Sequence, residues 1–204
     1  MLIIDIETVA NEEALQFMPE PKAPGNYTDP VKIAAYITDK KLEVASKAAL
    51  DPDYGMIKAI GYRTSAFTRI DIVGVDHTEE EALEDFWRMY ALNNGEVCGY
   101  NIIGFDLPYI LRRSFALNVR PPSFVKLQKY QTYPILDLMG VLYNWADYKS
   151  LKFVAKRYGI AYLEGVDGSM VGGMDNEHLI EYLTSDLNVT WELYERMKGV
   201  YFGN

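Results

Sequence analysis

The sequence predicts a mixed α/β fold, in which a central β-sheet is flanked by helices. Short β-branched or apolar runs alternate with longer segments of helical periodicity. Two of the β-branched runs follow each other closely, as the strands of a hairpin do. No internal repeat is visible, and 204 residues is a common size for one well-packed domain. We therefore expect residues 1–204 to form a single domain.

The first third of the chain predicts one strand, one helix and one hairpin. Residues 1–9 form an apolar run that is broken only by two acids, which indicates a buried strand. A loop rich in proline and glycine, residues 19–30, ends in an Asp-Pro pair that favours a helix start. Residues 31–50 carry apolar side chains at helical spacing. The β-branched runs 56–67 and 69–75 then predict the hairpin.

The rest of the chain predicts mostly helices. Thr78 and Glu81 have the spacing of a capping box, so a helix should run from there to about Asn93. Residues 97–100 are predicted to form a strand, and residues 135–142 mix strand and helix signals. Apolar residues at helical spacing predict three more helices: 105–117, 151–158 and 176–198.

Charge and cysteine content narrow the class of protein. With 20 basic and 29 acidic residues, the net charge of −9 argues against a polyanionic partner, because the summed field repels phosphate. No apolar run approaches the roughly 20 residues that cross a bilayer, and no signal segment opens the chain. We expect a protein without membrane contact. The single cysteine, Cys98, cannot form an internal disulfide.

The distribution of charge reopens the question of a nucleic-acid partner. No acidic residue lies between Asp106 and Asp137, whereas basic and aromatic residues alternate there. These residues are Arg112, Arg113, Arg120, Lys126 and Lys129, with Tyr109, Phe115, Phe124, Tyr130 and Tyr133. Cations interleaved with aromatics bind single-stranded nucleic acid, but solvated helix faces have the same composition. Composition alone does not separate these two interpretations.

Two acids in the first predicted strand indicate a metal site. Asp5 and Glu7 are two residues apart, so their side chains point to the same face of a strand. Burying two unpaired carboxylates is costly, and a divalent cation compensates both charges. We favour a metal over a structural ion pair. A second Asp-x-Glu, Asp175 to Glu177, has a simpler use at the start of the last helix.

Two further patterns supply a phenol and two more acids. Tyr182 and Asp186 are four residues apart, so they share a helix face with the apolar stripe of the last helix. Either metal binding or an ordinary ion pair would satisfy Asp186. In the segment from Asn101 to Asp106, a glycine turn joins a strand end to a helix start. Asp106 could be a metal ligand or a helix cap.

The three patterns, in this order, resemble exonuclease motifs I, II and III of the DEDD superfamily of 3′–5′ exonucleases, which have a ribonuclease H-like fold. The tyrosine four residues before Asp186 is similar to the tyrosine branch found in family B DNA polymerases, whereas the histidine branch would need histidine where Glu181 stands. Three further segments, 50–61, 150–155 and 165–171, are similar to stand-alone polymerase-B-like exonucleases of phages and bacteria. The resemblance therefore spans nearly the whole chain.

This resemblance implies a site and a mechanism. Asp5, Glu7, Asp106 and Asp186 would bind two divalent cations, Mg²⁺ or Mn²⁺, about 4 Å apart. Tyr182 would orient the attacking water rather than deprotonate it, since a phenol has a pKa near 10. The implied residues that contact the terminal nucleotide are Thr8, Asn101 and Phe105.

The resemblance also implies the substrate and the setting. The expected activity is hydrolysis of single-stranded DNA, or of frayed and mispaired 3′ ends, to nucleoside 5′-monophosphates. The expected location is the cytoplasm of a bacterial or phage-infected cell, with replication or repair proteins as possible partners in trans. A 3′–5′ exoribonuclease and a catalytically silent nucleic-acid-binding domain are the alternatives.

Overall fold

The computed structural model describes residues 1–203, and within them a five-stranded mixed sheet is flanked by helices. The strands are β1 (Leu2–Ala10), β2 (Gly55–Arg63), β3 (Thr68–Ile72), β4 (Val97–Gly99) and β5 (Ile135–Asp137). The helices are α1 (Pro30–Lys47), α2 (Glu79–Leu92), α3 (Asp106–Ala116), α4 (Leu138–Leu142), α5 (Leu151–Tyr158) and α6 (Asn176–Met197). The predicted α/β class is confirmed.

The order of the strands in the sheet is β3-β2-β1-β4-β5, which places β1 at the centre. β2 and β3 form the predicted antiparallel hairpin, and β1, β4 and β5 are parallel where they pair. The ambiguous segment 135–142 contains both elements, because the short strand β5 passes directly into α4. The carboxyl ends of β4 and β5 therefore lie at the same edge of the sheet.

Contacts within the chain divide it into two compact units. One unit contains Met1–Glu7 and the chain from Ile57 onward, and the other is Thr8–Met56. In the second unit, Asp29 caps α1 by accepting a hydrogen bond from the backbone N–H of Val31. Tyr27 meets Tyr36 edge to face, and the N–H of Asn11 donates to the carbonyl of Tyr54.

The core of the first unit forms around β1, β2 and α6. Helix α6 approaches β2 so closely at Gly61 that a Cβ there would lie 2.7 Å from Cδ1 of Leu187. On α2 and α3, Trp87 donates a hydrogen bond to the hydroxyl of Ser114, and Arg113 forms a buried ion pair with Glu79. Among the described helices, none combines the length and apolar composition needed to span a membrane.

Local chemistry explains where the helices begin and end. The Thr78–Glu81 capping box is present at the start of α2, and Asp175 caps α6 as the sequence predicts. Helix α5 starts with Ser150 as its cap and ends at Gly159, whose φ of 65° is in the left-handed region that glycine tolerates. The caps of α5 and α6 set where two of the helices that carry site residues begin.

Candidate metal and catalytic site

Three acids from β1 and α6 meet in one cluster. Asp5, Glu7 and Asp186 each offer a carboxylate oxygen, and the three oxygens lie within 4.8 Å of one another. The strand repeat brings Asp5 and Glu7 to the same face of β1, as predicted. Asp186 faces them from α6, where it is only 9% exposed. The first and third sequence motifs are thus brought together.

Asp106 lies beside this cluster, outside the group of three acids whose oxygens are within 4.8 Å, and it does not act as a cap. The N-cap residue of α3 is Phe105, and its side chain makes no capping hydrogen bond. Oδ1 of Asp106 instead accepts a hydrogen bond from the backbone N–H of Ile6, at 3.1 Å, between the two acids of β1. Besides burial, the charge of Asp106 also raises the pKa of Asp5. The second motif therefore lies against the same strand as the first.

Tyr182 lies one helical turn before Asp186 and presents its hydroxyl group to the acids. The ring is buried, and the hydroxyl hydrogen bonds to the Asp186 side chain. A Cβ on Gly168 would lie 3.9 Å from both the Tyr182 oxygen and Oε2 of Glu7, so this backbone closes one side of the cluster. Gly168 lies in the segment 165–171, which carried the family resemblance but no motif that points to a site.

Burial and mutual repulsion hold the acids toward their protonated forms. Burial, followed by the charge of neighbouring acids, raises the pKa of Asp5 well above its usual range and that of Glu7 to about 8. Burial raises the pKa of Asp106 to about 7 and also raises that of Asp186. The pKa of Tyr182 is raised by burial and by the nearby acids, so its phenol stays a neutral donor. A bound cation would relieve this repulsion.

Lys152 on α5 is a site residue that the sequence analysis did not assign. Its Nζ lies 5.0 Å from the centroid of the Tyr182 ring, and its charge lowers the pKa of both Glu7 and Asp186. Nζ is buried and has no hydrogen-bond partner among the described residues. The segment 150–155 supported the family resemblance, and Lys152 lies in an acid-free run with Lys149, Lys156 and Arg157, but neither signal singled it out as a site residue.

Asp137, at the end of β5, fixes the loop that precedes Asp106. Its two carboxylate oxygens accept backbone hydrogen bonds from Asn101, Ile103 and Gly140, each at 3.0–3.1 Å. Because β4 and β5 are neighbours, the strand-end aspartate reaches the loop after β4 directly. Asp137 lies outside the group of acids whose oxygens are within 4.8 Å of one another.

The three residues expected at the substrate lie beside the motifs. Phe105 directly precedes Asp106 and packs on Tyr109, with ring centroids 5.5 Å apart. Asn101 is partly exposed and has a φ of 65°, a left-handed conformation that asparagine tolerates better than most residues. Thr8 follows Glu7 on β1 and is buried. Their contacts with substrate stay a prediction.

The comparisons with known proteins concern the family and the fold of this chain. A family model described as a predicted 3′–5′ exonuclease related to the exonuclease domain of PolB matches residues 56–201. This range includes Asp106, Tyr182 and Asp186, while Asp5 and Glu7 precede it and are brought to the site by β1. A search of curated proteins found no match to the chain.

A solved structure has the same fold. The family B DNA polymerase from the hyperthermophilic archaeon Pyrobaculum calidifontis matches 96% of this chain with a TM-score of 0.58 and 20% identity. The chain corresponds to only 24% of that polymerase, so the likeness concerns the fold of one part of it. The family model covers well over half of the chain. The chain therefore belongs to the family of predicted 3′–5′ exonucleases related to the exonuclease domain of PolB.

Proposed function

We propose that this protein is a metal-dependent 3′–5′ exodeoxyribonuclease of the tyrosine branch of DEDD exonucleases. Its substrate would be single-stranded DNA, or frayed and mispaired 3′ ends, and its products nucleoside 5′-monophosphates. The observation that carries this proposal is the cluster of Asp5, Glu7 and Asp186, whose oxygens lie within 4.8 Å, beside Asp106. Family membership supports the direction of hydrolysis.

The acids of this cluster have the chemistry of a site for hard divalent cations. All the donors are carboxylate oxygens, which Mg²⁺ and Mn²⁺ prefer. Asp5, Glu7, Asp106 and Asp186 would hold two such ions. When bound, the two ions would activate water and neutralise the charge that develops on the leaving 3′ oxygen.

The side chains around the acids have separate roles in this proposal. The neutral phenol of Tyr182 orients the attacking water, since its raised pKa makes it a hydrogen-bond donor and not a base. Lys152 presents a buried cation with unused donors, which suits a phosphate oxygen that gains charge in the transition state. Phe105 and Asn101, on the loop fixed by Asp137, would contact the terminal nucleotide with Thr8.

The setting of the reaction is also a proposal. Residues 1–204 would act as one exonuclease domain in the cytoplasm of a bacterial or phage-infected cell. Replication or repair proteins would be its partners in trans. The resemblance of three segments outside the motifs to stand-alone phage and bacterial enzymes supports this part.

Digestion of a 5′-labelled single-stranded DNA oligomer with Mg²⁺ or Mn²⁺ tests the activity. We expect a ladder that shortens from the 3′ end, and we expect it to be absent with chelator and with Asp5→Ala. A matched RNA oligomer tests the alternative exoribonuclease. Binding of DNA without turnover of either oligomer by folded wild type would contradict the proposal and favour a silent binding domain.

A further inference from the structure

Four exposed aromatic side chains lie on the last turn of α3 and in the irregular segment that follows it. Phe115, Phe124, Tyr130 and Tyr133 are between 68% and 90% exposed. Elsewhere in residues 1–203, only the aromatic side chain of Phe17, at 74%, is comparably exposed. Aromatic side chains carry a large apolar surface, so their concentration in 19 consecutive residues indicates a binding surface. We name this segment, residues 115–133, the aromatic loop.

The cations of the aromatic loop are available to a partner. Arg120, Lys126 and Lys129 are exposed, and none has an ion pair among the described residues. The loop contains no acidic residue, so its local charge is positive although the net charge of the chain is −9. Two members of the basic and aromatic set in the sequence are excluded, because Tyr109 is buried and Arg113 pairs with Glu79.

The alternative of a solvated helix face does not explain this composition. After Ala116 the chain forms no regular helix or strand until Ile135. The path is nevertheless anchored, since Val119 and Val125 are buried. This irregular segment buries two valines and keeps three aromatic rings, Phe124, Tyr130 and Tyr133, exposed, while Phe115 is exposed on the last turn of α3.

The ring of Tyr130 is held in place despite an unfavourable backbone conformation. Its φ of 67° lies in the left-handed region, which a bulky residue seldom adopts. The ring packs on Trp145 with centroids 5.6 Å apart, and it stays 74% exposed. Such strain is typical of positions with a binding role. Tyr133 is held separately, by donating a hydrogen bond to Glu96.

The aromatic loop is within reach of a strand whose 3′ end is at the acids. Helix α3 begins with Asp106 at the site, and Phe115 is nine residues later, about 14 Å along the helix axis. A chain of contacts also leads from the aromatic loop toward the site. Tyr130 packs on Trp145, and Trp145 packs on Gly140. Gly140 donates a hydrogen bond to Asp137, which fixes the loop before Asp106. At about 3.4 Å per stacked nucleotide, some four nucleotides cover the length of α3.

We propose that the aromatic loop binds the single strand on the 5′ side of the terminal nucleotide. Phe124 and Tyr130 stack with bases, while Arg120, Lys126 and Lys129 contact phosphates. This inference rests on the proposed function, because it assumes that a 3′ end occupies the acidic cluster. It adds a second binding region, which makes affinity depend on the length of the strand.

Binding measured without hydrolysis tests this proposal separately from the activity. Fluorescence anisotropy in chelator compares a labelled oligothymidine of twenty nucleotides with one of four. Wild type should bind the longer oligomer more tightly, and Phe124→Ala should weaken that binding about tenfold, the loss of one stacked base. Phe17→Ala is the matched control, since it removes an equally exposed aromatic outside the loop and should leave the affinity unchanged.

Salt dependence tests the cations. The double variant Lys126→Gln with Lys129→Gln should lower the slope of log affinity against log salt by about 1.4, which corresponds to two phosphate contacts on a single strand. Two results would overturn the proposal: a wild-type affinity that does not depend on oligomer length, or a Phe124→Ala variant that binds the longer oligomer as tightly as wild type. Either result would favour a protein partner for the exposed rings. Because no hydrolysis is needed, an inactive wild type that still shows these losses would contradict only the proposed function.

Discussion

Tyr182 contacts the acidic cluster through its hydroxyl group, which makes its role separable from metal binding. The phenol hydrogen bonds to Asp186, and burial keeps it neutral. We expect Tyr182→Phe to lower kcat by about 10²-fold or more, since it removes the group that orients water, while the affinity for Mn²⁺ stays. Single-turnover hydrolysis and calorimetric titration with Mn²⁺ measure the two effects. Asp186→Ala should lose both, and an equal loss of metal affinity in Tyr182→Phe would refute this separation.

Lys152 is the cation that faces the acids from α5. Its buried Nζ lowers the pKa of Glu7 and Asp186 and has no hydrogen-bond partner among the described residues. We expect Lys152→Met to lower kcat by about 10²- to 10³-fold, because a charge that stabilises the transition state is lost. Lys152→Arg should retain part of the activity.

Lys156 provides the matched control for this test. It lies one turn later on α5 and is exposed, so Lys156→Met removes the same charge from the same helix without touching the acids. Single-turnover rates at saturating oligomer compare the variants. If Lys152→Met and Lys156→Met both react at close to the wild-type rate, the buried charge takes no part in the reaction.

Among the structural elements, the loop between β4 and α3 depends on one side chain of β5. Removing the Asp137 carboxylate leaves the N–H groups of Asn101, Ile103 and Gly140 without their acceptor. An unsatisfied buried donor costs about 1–3 kcal/mol. We expect Asp137→Ala to lower the free energy of unfolding by about 3 kcal/mol or more in urea denaturation. Asp39→Ala, an exposed aspartate on α1, should change it by less than about 0.5 kcal/mol.

A partial substitution distinguishes stability from positioning. Asp137→Asn keeps an oxygen for Asn101 and Gly140 but turns the acceptor of Ile103 into an amide. We expect it to cost less stability than Asp137→Ala and to lower kcat more than it raises KM, because the loop places Asp106 on β1. Wild-type kcat in a folded Asp137→Asn enzyme would contradict that positioning role.

The elements themselves were predictable where local chemistry decides them. The capping box at Thr78, the left-handed Gly159 and the Asp175 cap are each specified by a few neighbouring residues. The converging acids Asp5 and Glu7 follow from the strand repeat alone. The sequence leaves Asp106 open between cap and ligand, because its position depends on a residue far away in the chain. Its side chain accepts a hydrogen bond from the backbone of Ile6, 100 residues earlier.

Other features depend on the fold of distant segments and so were not predictable from local patterns. Lys152 has an ordinary place in its helix, and only the packing of α5 on α6 brings it over Tyr182. The division at Thr8 and Met56 follows from contacts and not from any change in composition. Likewise, the sequence pattern that suggested a basic aromatic region did not reveal that Tyr109 is buried.

For the molecule as a whole, the acidic cluster links stability to pH and to metal. Burial, with repulsion from Asp186 and Asp106, raises the pKa of Glu7 from 4.5 to about 8, and burial raises that of Asp106 from 3.8 to about 7. At pH values between the unfolded and the folded pKa of these acids, the folded protein binds more protons than the unfolded chain. The metal-free protein is therefore stabilised below about pH 4, and it loses that stability as pH rises through 7 to 8.

A divalent cation should reverse this loss, because it binds the ionised acids. We expect the melting temperature of the metal-free protein to fall between about pH 6 and pH 9, and the increase produced by Mn²⁺ to be larger at the higher pH. Differential scanning calorimetry with chelator and with Mn²⁺ measures both effects. Glu7→Gln removes one buried charge, so it should flatten the metal-free profile and reduce the Mn²⁺ effect. A Mn²⁺ effect that is equal at both pH values, or unchanged in Glu7→Gln, would mean that the ion binds elsewhere and that the acids of β1 do not hold it.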